Sequence, residues 1–84
     1  MRHARDQDLD RIEPLLVELR TLGGMVEKKR GVFYRKSKAF LHFHEDPKGM
    51  FADLRNATGD DFDRFDVSEE AAWADLVVQA AARL

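Results

Sequence analysis

Two stretches of the chain space their apolar residues three or four positions apart, the pattern of a helix with one buried face. The first stretch comprises Leu9, Ile12, Leu15, Leu16, Leu19 and Leu22. It predicts a helix over about residues 10–22, with Asp10 as its N-cap and Gly23-Gly24 at its end. Pro14 fits this helix because the first four amides of a helix have no internal partner.

The second stretch lies near the end of the sequence and comprises Trp73, Leu76, Val77, Ala80 and Leu84. Ser68 is a favourable N-cap for a helix there. Glu69 and Glu70 would follow in its first turn, facing the positive end of the helix dipole. The sequence therefore predicts a C-terminal helix that begins at Ser68. Residues 1–8 are mostly polar and are expected to be frayed.

Between the two helices the pattern changes to runs of β-forming residues. Residues 32–35 and 39–44 are rich in β-branched and aromatic side chains, and Lys36-Ser37 is expected to form a tight turn between them. Asp46-Pro47-Lys48-Gly49 places aspartate, proline and glycine where a type I turn favours them. Residues 50–55 are therefore predicted to return antiparallel to residues 39–44.

Strands flanked by helices favour an α+β fold over a parallel sheet. We predict one domain spanning residues 1–84, with a three- to four-stranded antiparallel sheet and both helices packed on one face. Residues 62–67 are short and acidic, and form either an edge strand or a helical turn in this prediction. The predicted core comprises Leu9, Ile12, Leu16, Leu19, Leu41, Phe43, Leu54, Trp73, Leu76 and Val77.

The composition limits the classes of site that such a domain can contain. The chain has 84 residues, no cysteine and a formal net charge of −2. Disulfide bonds, iron–sulfur clusters and cysteine-ligated zinc are therefore excluded. A small domain without disulfides is expected in a reducing cytoplasm, and no stretch has the roughly 20 apolar residues of a membrane span.

The central part of the chain resembles a small bacterial family. The segments that carry the resemblance are Gly31-Val32-Phe33-Tyr34, residues 40–46 and residues 49–55. Together they match the pattern GVFYRKSKAFLHFHED…GMFADLR, and the resemblance extends over nearly the whole chain. More distantly, the hairpins resemble the sheet of the YjbR-like and DUF1801-like groups. The resemblance implies an α+β fold and places no active-site residue on this sequence.

Alternation along the strands sorts the side chains of the predicted hairpin into two faces. The face toward the helices is expected to hold Leu41, Phe43, Met50, Ala52 and Leu54. The opposite face then holds a polar cluster of His42, His44, Asp53 and Arg55, with Phe40 and Phe51 beside it.

This polar cluster is compatible with three roles. An aspartate beside a histidine can orient it for acid–base catalysis, and the same groups can simply form cross-strand pairs. Alternatively, His42 and His44 share one face of a strand and could ligate a metal. Glu45 or Asp46 would then supply carboxylate ligands. No third histidine is expected nearby, because His3 lies in the segment predicted to fray, so neither a metal site nor a cofactor is predicted.

Charge is unevenly distributed along the chain. Residues 28–38 hold six basic residues and no acid, whereas residues 45–84 hold ten acids and four bases. The candidate anion contacts are Lys28, Lys29, Arg30, Arg35, Lys36 and Lys38. This basic hairpin could bind single-stranded nucleic acid weakly with help from Phe33 or Tyr34, or protect a sheet edge, or contact an acidic region of a second copy in a homodimer.

The sequence therefore predicts a non-enzymatic binding or interaction module whose partner it does not specify. One alternative is a small enzyme or metal site that uses His42, His44 and Asp53. A second alternative is weak binding of single-stranded nucleic acid by residues 28–38. A protein partner or a homodimer is expected ahead of nucleic acid, because the acidic second half of the chain repels polyanions.

Overall fold

The computed structural model describes residues 2–84 as an α+β fold. Its helices are α1 (Asp6–Asp10), α2 (Glu13–Arg20) and α3 (Trp73–Arg83), the last preceded by a 3₁₀ turn, Glu70–Ala72. Its strands are β1 (Arg2–His3), β2 (Val26–Lys29), β3 (Val32–Arg35), β4 (Lys38–Asp46), β5 (Gly49–Arg55) and β6 (Phe62–Asp66). Residues 62–66 thus form a strand and not a helical turn.

The strands form one six-stranded antiparallel sheet, which is larger than the three- to four-stranded sheet predicted from the sequence. Strands β2 to β6 lie in chain order, and β1 adds to β4. The longest strand, β4, pairs with β3 through residues 38–41 and with β1 through Glu45 and His44. The two missed strands, β1 and β2, are short and mostly polar, so they carry little of the alternation that identifies a strand.

The N-terminal segment differs from the prediction in two respects. Arg2 and His3 form a strand and are not frayed, and the backbone N–H of Ala4 donates to the carbonyl of Phe43 at 3.1 Å. In place of one helix over residues 10–22, α1 ends at Asp10 and α2 begins at Glu13, with Arg11-Ile12 between them. Pro14 lies in the first turn of α2. Asp10 does not cap α2, whose N-cap is Ile12.

A buried carboxylate, Asp8, holds this N-terminal segment in place. It accepts the backbone N–H of Arg5 at 2.9 Å, and it forms ion pairs with Arg2 at 2.8 Å and with Arg11 at 3.3 Å. The backbone hydrogen bond from Arg5, together with Arg2, keeps the pKa of the Asp8 carboxyl below its ordinary value although burial opposes this. Ionised Asp8 therefore ties β1 to the start of α1.

Two tight turns set the geometry of β4. Asp46 and Gly49 pair directly, so only Pro47 and Lys48 connect β4 to β5. At the other end, Lys36 and Ser37 both have positive φ, at 52° and 69°. Positive φ at both central residues is the mark of a type I′ turn, which matches the twist of a hairpin even without glycine.

The C-terminal helix begins later than predicted because Ser68 has another role. Its hydroxyl accepts the backbone N–H of Met50 at 2.9 Å, so it caps no helix. The chain passes through the 3₁₀ turn before α3 begins at Trp73, whose indole N–H donates to the carbonyl of Val67 at 2.9 Å. Ser68 thus joins the end of β6 to the start of β5.

One buried apolar cluster joins the helices to the sheet. Of the predicted core, eight residues are buried: Leu9, Ile12, Leu16, Leu19, Leu41, Phe43, Leu54 and Leu76. Trp73 and Val77 are only partly buried and pack against the cluster. The core also includes Leu15, Met50, Ala52 and Ala80, which the sequence places on the apolar faces of these elements, and Phe33, Phe40 and Val67, which were not predicted to be buried. Within residues 2–84, no helix is both long and apolar enough to cross a membrane.

The role of Asp8 predicts a pH-dependent loss of stability in Asp8→Asn. The folded state lowers the pKa of Asp8, so its charge stabilises the fold above the ordinary value of 3.8, and this contribution is lost as the pH falls through the lowered pKa. We expect Asp8→Asn to reduce the free energy of unfolding by about 1 kcal/mol near neutral pH, since hydrogen bonds to charged groups are lost. The deficit should shrink in acid, where the wild-type carboxyl is itself protonated.

Urea unfolding of both proteins across this pH range measures the deficit. Asp10→Asn is the matched control, because Asp10 lies in the same helix but is largely exposed. A deficit of constant size at every pH would show that packing, and not charge, accounts for the loss.

Candidate functional site

Three imidazoles meet on one face of the sheet. His3 in β1 lies directly opposite His44 in β4, and His42 lies two residues from His44 on the same face. These are all the histidines of the chain. We call His3, His42 and His44 the histidine cluster. It exists because the N-terminal segment forms a strand, so the expectation that His3 would be too far away is wrong.

The three rings are close enough to act together. The ring centroids of His3 and His44 are 4.6 Å apart, those of His42 and His44 are 5.0 Å apart, and those of His3 and His42 are 5.9 Å apart. One ring nitrogen from each residue can be chosen so that all three lie within 4.8 Å of one another. His3 is exposed, whereas His42 and His44 are half-buried. The cluster therefore combines two fixed rings with one that is free to turn.

A buried carboxylate lies beneath the cluster. Asp53 pairs with His42 across β4 and β5, and its Oδ2 lies 3.1 Å from Nδ1 of His44. Arg64 on β6 donates two hydrogen bonds to the same carboxylate, at 2.8 and 2.9 Å. This bidentate contact fixes the orientation of Asp53 and matches its charge.

Burial and charge set the protonation of the site. Burial, and then the neighbouring His44, lowers the pKa of His42 below its ordinary value. Burial also lowers the pKa of His44, although the carboxylate of Asp53 opposes this effect. Burial works against ionisation of Asp53, but the hydrogen bonds and charge of Arg64 outweigh it and lower the pKa of the carboxyl. At neutral pH, His42 and His44 are therefore uncharged beside an ionised Asp53.

Two nitrogen atoms in this site lack a partner. Among the described residues, Nδ1 of His42 and Nδ1 of His44 are buried without a hydrogen bond, since the contact of His44 with Asp53 is out of line for one. A buried polar atom without a partner raises the free energy of the folded state, and such atoms are uncommon in native proteins. The His42 ring also packs edge-on against Phe62, with centroids 4.9 Å apart.

A cleft of about 680 Å³ opens beside His3 and His42. Leu9, Tyr34 and Phe43 form apolar parts of its wall. Lys29 and Arg30 lie at the same cleft. A small molecule or water can therefore approach the histidine cluster from this side.

Arg55, a member of the predicted polar cluster, does not join the histidines. Its Nε donates to the carbonyl of Ala39 at 2.6 Å, and Nη1 donates to the carbonyl of Gly59 at 2.8 Å. Its guanidinium also lies 4.6 Å from the centre of the Phe62 ring, which separates it from His42. Arg64 lies beside Asp53 instead, and no pattern in the sequence indicated this contact.

The two carboxylates considered as metal ligands have other contacts. Glu45 lies opposite Arg2 in the sheet, and their side chains form an ion pair at 3.4 Å. Asp46 accepts the backbone N–H of Lys48 at 3.0 Å and begins the turn into β5. The structure thus favours His3 over both as the third ligand.

The six candidate anion contacts do not form one surface. Arg30 forms ion pairs with Asp6, Asp10 and Glu13, at 2.9–3.3 Å, so its charge is already matched. The ammonium of Lys28 lies 5.4 Å from the centre of the Tyr34 ring.

The other four basic residues are divided between two clefts. Lys29 lies at the cleft beside the histidines. Arg35, Lys36 and Lys38 line a separate cleft at the other end of β4.

Comparisons with protein-family models, with curated proteins and with solved structures give no match to this chain. The resemblance to a small bacterial family therefore stays a prediction.

The arrangement around Asp53 predicts the effect of Arg64→Ala. Removal of the guanidinium leaves a buried carboxylate without its main partner, so the pKa of Asp53 should rise above its wild-type value. The variant should also unfold at a lower temperature at neutral pH. Carboxyl ¹³C NMR titration measures the pKa directly.

Arg11→Ala is the control, because it removes an exposed arginine from a different part of the molecule. The Asp53 pKa should be unchanged in this variant. An unchanged Asp53 pKa in Arg64→Ala would contradict the role assigned to the bidentate contact.

Proposed function

We propose that the protein is a small metal-binding module whose histidine cluster ligates one divalent transition-metal ion, with Zn²⁺ as the first candidate. The observation that carries the proposal is the approach of ring nitrogens from His3, His42 and His44 to within 4.8 Å of one another. Imidazole is a favoured ligand of zinc, copper, nickel and iron. The proposal keeps the protein among binding modules and gives it a chemically defined ligand.

The distances are close to those of a tetrahedral zinc site. Zinc–nitrogen bonds of about 2.1 Å at tetrahedral angles place the ligating nitrogens about 3.4 Å apart. The longest nitrogen–nitrogen distance in the cluster therefore has to contract by about 1.4 Å at most. His3 is exposed and can make part of this adjustment by turning its side chain.

The surroundings of the cluster also suit a metal ion. Neutral imidazole is the form that binds metals, and the lowered pKa values of His42 and His44 keep that form present at neutral pH. A metal ion would also provide a partner for the unpartnered nitrogen of His42. Asp53 beside Nδ1 of His44 resembles the carboxylates that orient ligating histidines in known metal sites.

Three histidines leave the fourth position of a tetrahedral ion open toward the cleft. This ligand number occurs in catalytic zinc sites, where water takes the fourth position. The carboxylate nearest to the histidines, Asp53, is buried and held by Arg64, and its lowered pKa makes it a weak base. We therefore favour binding of a metal, with or without a small ligand, over metal-assisted hydrolysis.

Zinc titration of tag-free protein tests the proposal. We expect calorimetry to show one zinc ion per chain. Long-range ¹H–¹⁵N NMR should show all three imidazoles responding together, and these are easily assigned because the chain has 3 histidines. Free zinc at 100 times its dissociation constant should add about 2.7 kcal/mol of stability, which raises the midpoint of thermal unfolding by roughly 10–20 °C.

His3→Ala is the most informative variant, because His3 is exposed and its loss should leave the fold intact. We expect it to weaken zinc binding by about tenfold or more, since a two-histidine site lacks a third protein ligand. Glu18→Gln, a change of an exposed carboxylate on α2, should leave the affinity unchanged. Equal affinity in wild type and His3→Ala, or no response of the imidazole signals, would refute the proposal.

Asp53→Asn tests the carboxylate that orients His44. Loss of such an orienting group typically costs about 10- to 100-fold in metal affinity while all ligands remain. We expect an effect in this range, measured by competition with a chromophoric chelator. Circular dichroism must first show that the variant is folded, because Asp53 is buried. Undiminished metal affinity in the folded variant would show that Asp53 serves only as the partner of Arg64 and does not orient His44.

A further inference from the structure

A second cleft, of about 280 Å³, lies at the opposite end of β4 from the β4–β5 turn. Five basic side chains line it: Arg35, Lys36, Lys38, Arg55 and Arg83. We call it the basic cleft. The described residues that line it include no aspartate or glutamate. Three separate parts of the chain contribute these side chains, namely residues 35–38, Arg55 and Arg83, so the concentration of positive charge is a product of the fold.

Hydrogen bonds to main-chain oxygens hold the arginines of the basic cleft. Arg55 donates to the carbonyls of Ala39 and Gly59, and Arg83 donates to the carbonyl of Arg55 at 3.2 Å. Arg35 likewise donates to the main-chain oxygen of Leu84 at 3.0 Å. A carbonyl orients a guanidinium without neutralising it, so the charge of Arg55 is fixed in position and remains available to an anion.

Not every arginine of the chain is held by carbonyls, as a comparison with Arg30 shows. Arg30 contacts three carboxylates, whereas Arg55 contacts two carbonyls. Within the basic cleft, Arg83 also contacts a carboxylate, that of Asp63, at 2.9 Å. Lys36 and Lys38 are exposed at the mouth of the cleft. The cleft therefore retains a strong positive potential in a chain whose net charge is −2.

The geometry points to a binding site for the phosphate group of a small phosphorylated molecule. A phosphate dianion offers several acceptor oxygens to converging guanidinium and ammonium groups, and arginine matches its geometry with paired donors. The buried ring of Phe40 also forms part of the lining of the cleft. The site is distinct from the histidine cluster, because Phe62 packs between Arg55 and His42.

The surroundings of the basic cleft favour a small ligand over a nucleic acid. Asp60, Asp61 and Asp63 are exposed on and just after the turn that borders the cleft. A single phosphate can enter between the cations, whereas an extended chain of phosphates would pass these carboxylates and be repelled. In single-strand binding sites the cations follow a groove along the nucleic-acid backbone. Here the cations converge on one cavity instead.

NMR titration with inorganic pyrophosphate tests this inference. We expect amide shifts confined to the residues around the basic cleft, with no response of the imidazoles. The variant Lys36→Asn together with Lys38→Gln should weaken binding by about tenfold, because two charge-assisted contacts are lost. Asparagine at position 36 tolerates the positive φ of the turn, so the hairpin should be preserved.

The matched control is Lys28→Gln together with Lys29→Gln, which removes the same charge from the same hairpin outside the basic cleft. Its affinity for pyrophosphate should stay within about twofold of the wild type, since only the long-range electrostatic potential of the protein changes and no direct contact is lost. Equal losses in the two variants, or shifts spread over both ends of β4, would overturn the assignment. A single-stranded oligonucleotide that binds more tightly than pyrophosphate would also overturn it in favour of a nucleic-acid surface.

Discussion

The register between β4 and β5 is the constraint on which both candidate sites depend. The two-residue connection after Asp46 pairs Leu41 with Leu54 and His42 with Asp53. Side chains alternate along a strand, so a slip of one residue would turn the leucines to solvent and bury the histidines. The apolar core thus selects the register, and the register in turn places the polar groups. Packing and site geometry are fixed by the same set of backbone hydrogen bonds.

A small domain has little stability to spare for buried polar groups. This domain nevertheless buries Asp8 in α1 and Asp53 in β5, and each accepts hydrogen bonds from arginine. Asp8 connects the N-terminal strand to the first helix, and Asp53 connects β5 to Arg64 on the edge strand. The two carboxylates therefore also hold neighbouring elements of the fold together. The unpartnered Nδ1 atoms of His42 and His44 are the exception, and both belong to the histidine cluster.

Sequence patterns identified the elements that bury apolar residues and missed those that do not. The pattern around β4 and β5 was sufficient to place His42, His44 and Asp53 on one face of the sheet, because apolar residues alternate with polar ones along these strands. The strand of Arg2 and His3 has only two residues and no apolar alternation. The partner of Asp53 was equally hidden, since Arg64 reaches it from β6, whose pairing register depends on the folded sheet. Contacts made only by tertiary pairing carry no local signal.

The turn between β3 and β4 contains residues that are not the most stable choice for its backbone conformation. Lys36 and Ser37 occupy a left-handed backbone conformation that costs roughly 1 kcal/mol for each residue with a side chain, and asparagine–glycine would occupy it at lower cost. A more stable hairpin was therefore accessible through two substitutions. Lysine at position 36 lowers the stability of the hairpin relative to asparagine and places a cation at the mouth of the basic cleft. Stability engineering of this turn would thus trade directly against the electrostatic character of that surface.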